Sequence, residues 1–365
     1  MVDNNKQYRD EKEGTTRRTV LKTVGVAGAG LATSGGILAG DGGASTVART
    51  GKSEVSSGTG ATTGKVDGSG RSGHEISTPT TITASGVYEV VTDITSTGSQ
   101  PCIEIQADDV TLQGNGHELS GDGNGIGVAV NLDATDGGLT IRESIAVEDL
   151  HVTNFGTGIQ YDSVSGGRIE GVTARNNGTG VGFLLAVTNV TLRDSTLADS
   201  STGFSTVGDP DVYGGPGGNL LEHNAIESND VGIDLGFSTT DHEFVRNRIA
   251  GNGGGARHRR VDSNGHTYSR NVICANPDYG IRNEDKPAEG GIPAFEDVVE
   301  ATDNYWGAAN GPSSIGTPAS PFEDPMTGAL ADGDGDGISE SLDPGIANVR
   351  FDPFLASAPA DAGLQ

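Results

Sequence analysis

The sequence is poor in the residues that build large helical cores, disulfide frameworks and zinc sites. Its 365 residues include two cysteines, two methionines, one tryptophan and only 5% aromatic residues in total. Cys102 and Cys274 are too few for a disulfide framework and lack the Cys-x-x-Cys spacing of a zinc site. The scarcity of aromatics and the presence of 59 glycines disfavour a globular helical core and favour a chain with many tight turns.

Basic residues are scarce as well, since 23 Lys and Arg stand against 50 Asp and Glu, for a formal net charge of -27. A general nucleic-acid binder needs a basic face for phosphate contacts, so this class of protein is excluded. At molar salt such a charge is screened within about 3 Å. The composition therefore favours a haloadapted protein of haloarchaeal type.

The first 75 residues carry an export signal and a spacer. Arg17 and Arg18 precede the apolar stretch VGVAGAGLATSGGILAG, which predicts a twin-arginine signal peptide over residues 1–40. A membrane span is the alternative, but the stretch is short and rich in glycine. Residues 41–75 have almost no large apolar side chain and are predicted to form a Gly/Ser-rich flexible linker. We therefore predict a protein that is secreted or at the cell surface through the twin-arginine pathway, without a membrane span after signal removal.

An internal repeat occupies the rest of the chain. A glycine followed by an apolar or small residue returns at intervals of 22, 23, 29, 23 and 25 residues, and an apolar or small residue lies six positions before each glycine. The glycines are Gly158, Gly180, Gly203, Gly232, Gly255 and Gly280, and the preceding column is Val152, Ala174, Leu197, Ile226, Ile249 and Cys274. The short alternating apolar runs fit strands and no helix. This period predicts an all-β, right-handed parallel β-helix over residues 76–310; leucine-rich repeats are the alternative, but their Leu-x-x-Leu-x-Leu phrase is missing.

Coils stacked at the strand spacing of about 4.8 Å would place like residues over one another. One interior wall is predicted to consist of Ile159, Val181, Phe204 and Ile233. Cys102 and Cys274 would then lie some six or seven coils apart, beyond disulfide reach, and we predict two free thiols.

The bends between strands carry asparagine and glycine. Asn224, Asn247 and Asn271 each lie two residues before an Ile, and Asn304 lies two before Trp306. Stacked asparagines are predicted to hydrogen-bond with their neighbours above and below. The recurrent glycines are expected to supply the positive φ that turns the chain at a corner.

Two segments resemble secreted β-helix proteins of the NosD-like and pectate-lyase-like superfamily. The run VTLQGNGHELSG, within residues 82–128, resembles their first coils, and NYWGAANGPSS, with FDPFL at 351–355, resembles their closing coil. The resemblance covers about residues 76–356 and implies the fold. It does not imply a reaction, because the superfamily includes lyases, hydrolases, epimerases and copper-maturation factors. Polygalacturonase-like motifs are absent, with RIE at 168–170 in place of Arg-Ile-Lys, and two methionines offer no cluster for a NosD-like copper role.

Residues 246–270 hold a local surplus of positive charge. Six arginines, Arg246, Arg248, Arg257, Arg259, Arg260 and Arg270, stand against one acid, Asp262. Alternation turns Asp234, Arg257 and Arg259 outward and places Arg282 one coil above Arg257. Because guanidinium groups bind carboxylates bidentately, Asp234, Arg257, Arg259 and Arg282 are predicted to bind an anionic sugar. The alternative is structural, with Asp234 paired to Arg257 and Arg259 to Glu284 across coils.

Three histidines fall on positions that the repeat specifies. His242 and His266 occupy matching places in HEFVRN and HTYSRN, which predicts stacked rings; a metal site is the alternative, but no third ligand is evident. His258 falls on an inward position and is expected to be a neutral core histidine.

An acidic segment near the end of the chain has calcium-loop spacing. In DGDGDGISESLD, Asp332, Asp334 and Asp336 take loop positions 1, 3 and 5, and Asp343 takes position 12. We predict that these four residues bind calcium within a C-terminal cap over residues 311–365. An acidic insertion of a haloadapted protein is the alternative.

These observations predict a monomeric protein that binds an acidic polysaccharide or cell-surface glycan along the outer face of its coils. A polysaccharide lyase or hydrolase acting on acidic sugars is the first alternative. A purely structural surface protein is the second.

Overall fold

The computed structural model describes residues 64–66, 72–132, 140–208, 215–259, 264–284, 297–316 and 319–365, and these residues contain no helix. The predicted signal peptide and most of the predicted linker lie outside the described residues. No helix within this described part has the length and hydropathy needed to cross a membrane.

The described residues form three sheets that stack into a solenoid of about 10 turns. All strand pairs within the sheets are parallel except that of the first two strands. The predicted all-β parallel β-helix is therefore confirmed. The first parallel strand begins at Ser72, whereas the sequence placed the start of the β-helix at residue 76.

Each coil runs through the sheets in the order A, C, B. Sheet A contains β1 Gly64–Val66, β2 Ser72–Ile76, β4 Gly86–Val90, β7 Val110–Gln113, β10 Arg142–Glu148, β13 Val164–Glu170, β16 Thr188–Arg193, β19 Leu220–Glu222, β22 Glu243–Val245, β25 Thr267–Ser269, β28 Val299–Glu300 and β31 Val349–Arg350. Sheet B contains β3 Thr80–Ile82, β6 Ile103–Ile105, β9 Ile126–Val130, β12 Thr157–Asp162, β15 Thr179–Leu184, β18 Thr202–Val207, β21 Val231–Leu235, β24 Gly254–Arg259, β27 Tyr279–Glu284, β29 Pro312–Ser314 and β30 Gly335–Ile338. Sheet C contains β5 Ile94–Thr95, β8 Glu118–Ser120, β11 His151–Thr153, β14 Thr173–Arg175, β17 Thr196–Ala198, β20 Ala225–Glu227, β23 Arg248–Ala250 and β26 Val272–Cys274.

The predicted interior wall is confirmed on sheet B. Ile159, Val181, Phe204 and Ile233 occupy one column, each in register with the next, and all four are fully buried. Burial of aliphatic and aromatic side chains along every coil supplies the main driving force for folding.

The interior column of sheet C differs from the prediction at its last member. Val152, Ala174, Leu197, Ile226 and Ile249 face inward as expected. In the next coil, however, Ile273 is in register with Ile249, and Cys274 is in register with Ala250. The predicted placement of Cys274 in this column was wrong. The inward-facing residue of sheet C lies six positions before the recurrent glycine in the coil of Ile249 and Gly255, but seven positions before it in the coil of Ile273 and Gly280. Both cysteines are free thiols, as predicted.

The recurrent glycines do not act through positive φ, and that prediction was wrong. None of the six has a positive φ; the corners are turned by residues such as Asn176, Asp199 and Ser228. The glycines are required for space instead. A Cβ on Gly180 would lie 2.6 Å from the carbonyl oxygen of Gly203 in the next coil. A side chain at this position would therefore push adjacent coils apart.

Asparagines form two ladders in the interior. At the bend between sheets A and C, the Nδ2 of Asn224 donates to the Oδ1 of Asn247 (3.0 Å), and Asn247 donates in the same way to Asn271 (3.2 Å). Asn304 continues this ladder, which confirms the prediction. A second ladder, which the sequence did not predict, lies between sheets C and B. Its members are Asn229, Asn252 and Asn276.

Residues of the predicted C-terminal cap continue the stack. β29 and β30 extend sheet B, and β31 extends sheet A. The buried carboxylate of Asp324 accepts four backbone N–H groups, from Met326, Thr327, Phe351 and Asp352, and so joins two segments of the C-terminal region. These bonds outweigh the opposing effect of burial and lower the pKa of Asp324.

Candidate functional site

The predicted arginine cluster lies on the outer face of sheet B. Asp234 on β21, Arg257 on β24 and Arg282 on β27 are in register, one in each successive coil. Arg259 is the second residue after Arg257 on β24, and alternation therefore turns both side chains to the same face. The structure thus brings the four predicted residues together.

One nearly buried carboxylate organises the cluster. Asp234 is only 6% exposed. Its two oxygens accept the Nε (3.2 Å) and Nη2 (2.9 Å) of Arg257, and also the Nε (2.8 Å) and Nη2 of Arg259. Burial opposes the charge of Arg257, but the hydrogen bond and the charge of Asp234 raise its pKa. Asp234 therefore holds both guanidinium groups in place.

The ion pairs differ from those of the structural alternative. Asp234 pairs with Arg257 as expected, but Arg259 pairs with Asp234. Glu284 lies 3.8 Å from Arg282. Three arginines and two acids leave the cluster with a net charge of about +1 at neutral pH. Arg260 and Asp262 lie outside the described residues.

A groove on the outer face of sheet A is a second candidate site, and the sequence did not predict it. Its volume is about 630 Å³. Small residues, Ala146 and Gly167, line it together with Arg168, Arg193 and Glu222. The remaining lining residues are Asp109, Thr111, Ser144 and Thr191. The groove thus combines hydroxyl groups with charges of both signs.

Ion pairs link the arginines of the groove to neighbouring glutamates. Arg168 pairs with Glu148 of the preceding coil and, at 3.4 Å, with Glu170 of its own strand; Arg193 pairs with Glu170 of the preceding coil at 2.7 Å. The lining residues are balanced in charge, and the two paired glutamates make the surroundings negative. The alternation of Arg168-Ile169-Glu170 with Thr191-Leu192-Arg193 was visible in the sequence, but nothing in that pattern shows that a concave surface forms there.

The histidine prediction is confirmed. The rings of His242 and His266 are stacked with centroids 5.2 Å apart and planes at 20°. His258 is 1% exposed, and its Nε2 lies 2.9 Å from the hydroxyl of Tyr268. Burial lowers the pKa of His242 and His258 well below the usual value and that of His266 to about 4. These histidines are neutral parts of the interior at neutral pH.

The acidic segment contributes to the second ladder. The Oδ2 of Asp336 accepts the backbone N–H of Asn276 (3.0 Å) and its Nδ2 (2.7 Å). Asp334 accepts the Nδ2 of Asn310 at 3.1 Å. Within the described part of the chain, Asp332, Asp334, Asp336 and Asp343 do not belong to any group of three or more acids, histidines or cysteines placed to hold a metal ion. Calcium binding by this segment stays a prediction.

Comparison with known proteins gives a partial family match. A family model described as "Periplasmic copper-binding protein (NosD)" matches residues 141–289. No curated protein matches the sequence. The family match, together with the stacked parallel strands, agrees with the predicted similarity to β-helix proteins.

Several solved structures are similar over part of the chain. The A-module of mannuronan C-5 epimerase AlgE4 from Azotobacter vinelandii shares 15% identity over 62% of this chain and 70% of that chain, with a TM-score of 0.39. The enzymatically active domain of bacteriophage CBA120 tailspike protein 2 shares 10% identity over 74% of this chain and 47% of that chain, with a TM-score of 0.45. The alginate lyase from Paenibacillus sp. str. FPU-7 shares 15% identity over 57% of this chain and 86% of that chain, with a TM-score of 0.33. The aligned part spans less than half of the tailspike chain.

Among the described residues, no three His, Cys, Asp or Glu side chains are grouped to hold a metal ion, so the structure does not support a copper site. The Nδ1 of His242 lies 3.4 Å from the backbone N–H of Asn219, and the Nδ1 of His266 accepts the N–H of His242 at 3.2 Å. His258 Nε2 is engaged by Tyr268. Most of the buried imidazole nitrogens are thus committed to structural hydrogen bonds, and no part of the function proposed below depends on copper.

Proposed function

We propose that the protein binds an acidic polysaccharide along the outer face of its coils, and that it is exported. The arginine cluster of sheet B carries the proposal. Arg257 and Arg259 each donate two of their five N–H groups to Asp234. The other donors are available to a carboxylate or sulfate group of a sugar.

The cluster is suited to this task because it is ordered before a ligand arrives. The bidentate bonds from Asp234 remove rotamer freedom that binding would otherwise have to remove. A local net positive charge within a chain of net charge -27 also attracts an anionic ligand to this part of the surface. Arg282, 52% exposed in its side chain, extends the cluster by one coil.

The proposal is tested by removing the cluster without leaving a buried charge. The variant Asp234→Asn, Arg257→Gln, Arg259→Gln replaces three ionised groups by amides of similar size, so no uncompensated carboxylate remains. We expect its affinity for polygalacturonate to fall about tenfold or more, since two sets of charge-assisted hydrogen bonds are lost. Affinity electrophoresis or calorimetry in buffered salt measures this loss.

A matched control separates a local effect from a general one. The triple variant lowers the net charge by one unit, and so does Arg175→Gln, which lies on sheet C and pairs with Asp199. The control is expected to bind like the wild type. If both variants bind polygalacturonate as the wild type does, the cluster is not the binding site.

The groove of sheet A favours a second candidate function, turnover of the polysaccharide. Carboxyl groups of Asp109 and Glu222 and guanidinium groups of Arg168 and Arg193 line one concave surface, and lyases or hydrolases need such groups close to the sugar. Incubation with polygalacturonate and measurement of unsaturated uronides by ultraviolet absorbance tests for a lyase, and new reducing ends test for a hydrolase.

A further inference from the structure

Two arginines occupy an unusual place in the coil. The two-residue turn between sheets A and C begins with a residue of positive φ, a conformation that glycine, asparagine, aspartate and histidine tolerate best. The stacked positions hold Asp149, Gly171, Asp194, His223, Arg246, Arg270 and Asp303. Arg246 and Arg270 both have a φ of 56°. In two successive coils, arginine therefore occupies a backbone conformation that is unfavourable for it.

The repeat holds these two side chains one coil apart. Val245 and Ser269, which precede them, are in register between β22 and β25. Asn247 and Asn271, which follow them, are bonded in the first ladder. The backbone on both sides of each arginine is therefore fixed, and the two guanidinium groups project from the same corner.

A carboxylate from a distant part of the chain lies between the two guanidinium groups. Asp361 accepts the Nε of Arg246 at 2.8 Å and the Nη2 of Arg270 at 3.2 Å from each oxygen. The Gly363 N–H also donates to the carbonyl of Arg246 at 2.8 Å. The arginine pair is thus already arranged around one carboxylate.

The contact between Asp361 and the two arginines is partly exposed to solvent and weakly stabilised. The side chains of Arg246, Arg270 and Asp361 are 35%, 50% and 40% exposed, and exposed ion pairs contribute little to stability. Residues 352–365 contain no strand, so few backbone bonds hold the segment in place. Most N–H donors of the two guanidinium groups remain free of Asp361.

We propose that Arg246 and Arg270 form a binding site for a sugar carboxylate, which the segment around Asp361 occupies in cis and from which an acidic polysaccharide displaces it. Asp361 stands in for the carboxylate of the ligand. The class of ligand rests on the proposed function, but the location does not, because this corner lies between sheets A and C, away from the cluster on sheet B. Tethering gives Asp361 a high effective concentration, so an external ligand must compete with this segment for the two arginines.

Removal of the internal carboxylate tests the competition. Asp361→Asn is expected to bind a fluorescently labelled oligogalacturonate roughly threefold to tenfold more tightly than the wild type, measured by anisotropy. Asp199→Asn, which removes an acid of similar exposure (44% against 40%) that pairs with Arg175 of sheet C, controls for the general change in charge. Adding Arg246→Gln and Arg270→Gln to Asp361→Asn is expected to abolish the gain.

Displacement of the segment is read directly from hydrogen exchange. Saturating oligogalacturonate is expected to speed amide exchange at Gly363 in the wild type, because its bond to Arg246 opens, while the Val272 amide, bonded to Asn247 inside the stack, stays unchanged. If Asp361→Asn binds no more tightly than Asp199→Asn and the Gly363 amide is unaffected, Asp361 is only a structural anchor and the proposal is overturned.

The two proposals fail separately. The affinity gain of Asp361→Asn is measured again in the background Asp234→Asn, Arg257→Gln, Arg259→Gln. A gain that persists there supports the corner site whether or not the sheet B cluster binds ligand. A gain that disappears there, while the sheet B variants alone lose binding, removes the corner site and leaves the proposed function standing.

Discussion

At the scale of single residues, one carboxylate takes the place that an asparagine would have in the next coil. Asn252 donates to Asn276, and Asn276 donates to Asp336, with the same pair of backbone and side-chain bonds. Asp336 thus ends the second ladder. Burial of Asp336 outweighs these hydrogen bonds and raises its pKa. Because its Oδ2 accepts the same two bonds as an asparagine Oδ1 does in the preceding coils, the ladder requires an acceptor oxygen here and not a negative charge.

This role predicts opposite outcomes for two substitutions. Asp336→Asn keeps an acceptor for Asn276, so the free energy of unfolding is expected to stay within about 0.5 kcal/mol of the wild type. Asp336→Ala leaves two buried donors of Asn276 without an acceptor and is expected to cost about 2–3 kcal/mol. Urea unfolding measures both. Equal stability of the two variants would show that Asp336 does not serve the ladder.

A variant without two of the proposed ligands tests the calcium hypothesis. If residues 332–343 bind calcium, a chelator lowers the melting temperature of the wild type and leaves that of Asp334→Ala, Asp336→Ala unchanged, because alanine supplies no ligand oxygen at either position. An equal response of the two proteins would remove this segment as a calcium site.

At the scale of the strand, close approach of neighbouring coils decides where a side chain is tolerated. Gly180 and Gly182 both lie on β15 and neither has a positive φ. A Cβ at Gly180 would lie 2.6 Å from a backbone oxygen of the next coil, whereas a Cβ at Gly182 would have its nearest neighbour, Ser205 Oγ, at 3.5 Å. The same substitution therefore clashes with backbone at Gly180 and makes only ordinary van der Waals contacts at Gly182.

We predict that Gly180→Ala destabilises the protein by about 1–3 kcal/mol, since the coils must separate to relieve the clash. Gly182→Ala is expected to change the free energy of unfolding by less than about 0.5 kcal/mol. Denaturant unfolding of the two variants gives the comparison. A cost at Gly182 as large as that at Gly180 would show that the close approach of the Gly203 carbonyl is not what requires glycine at position 180.

The period of the sequence was enough to predict the coil, because like residues stack on like. It placed Ile159 and Val181 on one wall and Asn224 over Asn247. It did not give the role of the glycines, because a sequence does not distinguish a residue that needs positive φ from one that needs space. It did not reveal the groove around Arg168, because concavity arises from small side chains of coils that are distant in sequence.

At the scale of the whole molecule, the surplus of arginine is only partly balanced by acids from other coils. Five of the six arginines in residues 246–270 pair with three acids, Glu227, Asp234 and Asp361, and the sixth, Arg260, lies outside the described residues. Asp361 is more than ninety positions from either arginine that it pairs with. The sequence could predict that the arginines lie near one another, but the partner of Arg246 and Arg270 depends on the path of the chain beyond the last coil.

The buried histidines make the stability of the stack depend on pH. His242, His258 and His266 are neutral in the folded state, since burial, followed for His242 and His258 by the charges of neighbouring histidines, lowers their pKa values. In the unfolded chain a histidine has a pKa near 6.5. Below that pH the unfolded chain binds protons that the folded chain does not, so stability falls as pH falls from about 6.5 towards the folded value of about 4 for His266.

We predict a loss of up to roughly 4 kcal/mol for each pH unit in this window, which corresponds to three protons. Urea unfolding at pH 7, 6 and 5 measures the slope. His258→Gln keeps a polar partner for Tyr268 but removes one titrating group, so its slope is expected to be smaller by about a third. His151→Gln, at an exposed position of β11, is the control and is expected to keep the wild-type slope. A slope that is the same in all three proteins would show that His258 does not contribute to the acid response. The carboxylate of Asp324, whose pKa is also lowered, would then be the next group to test.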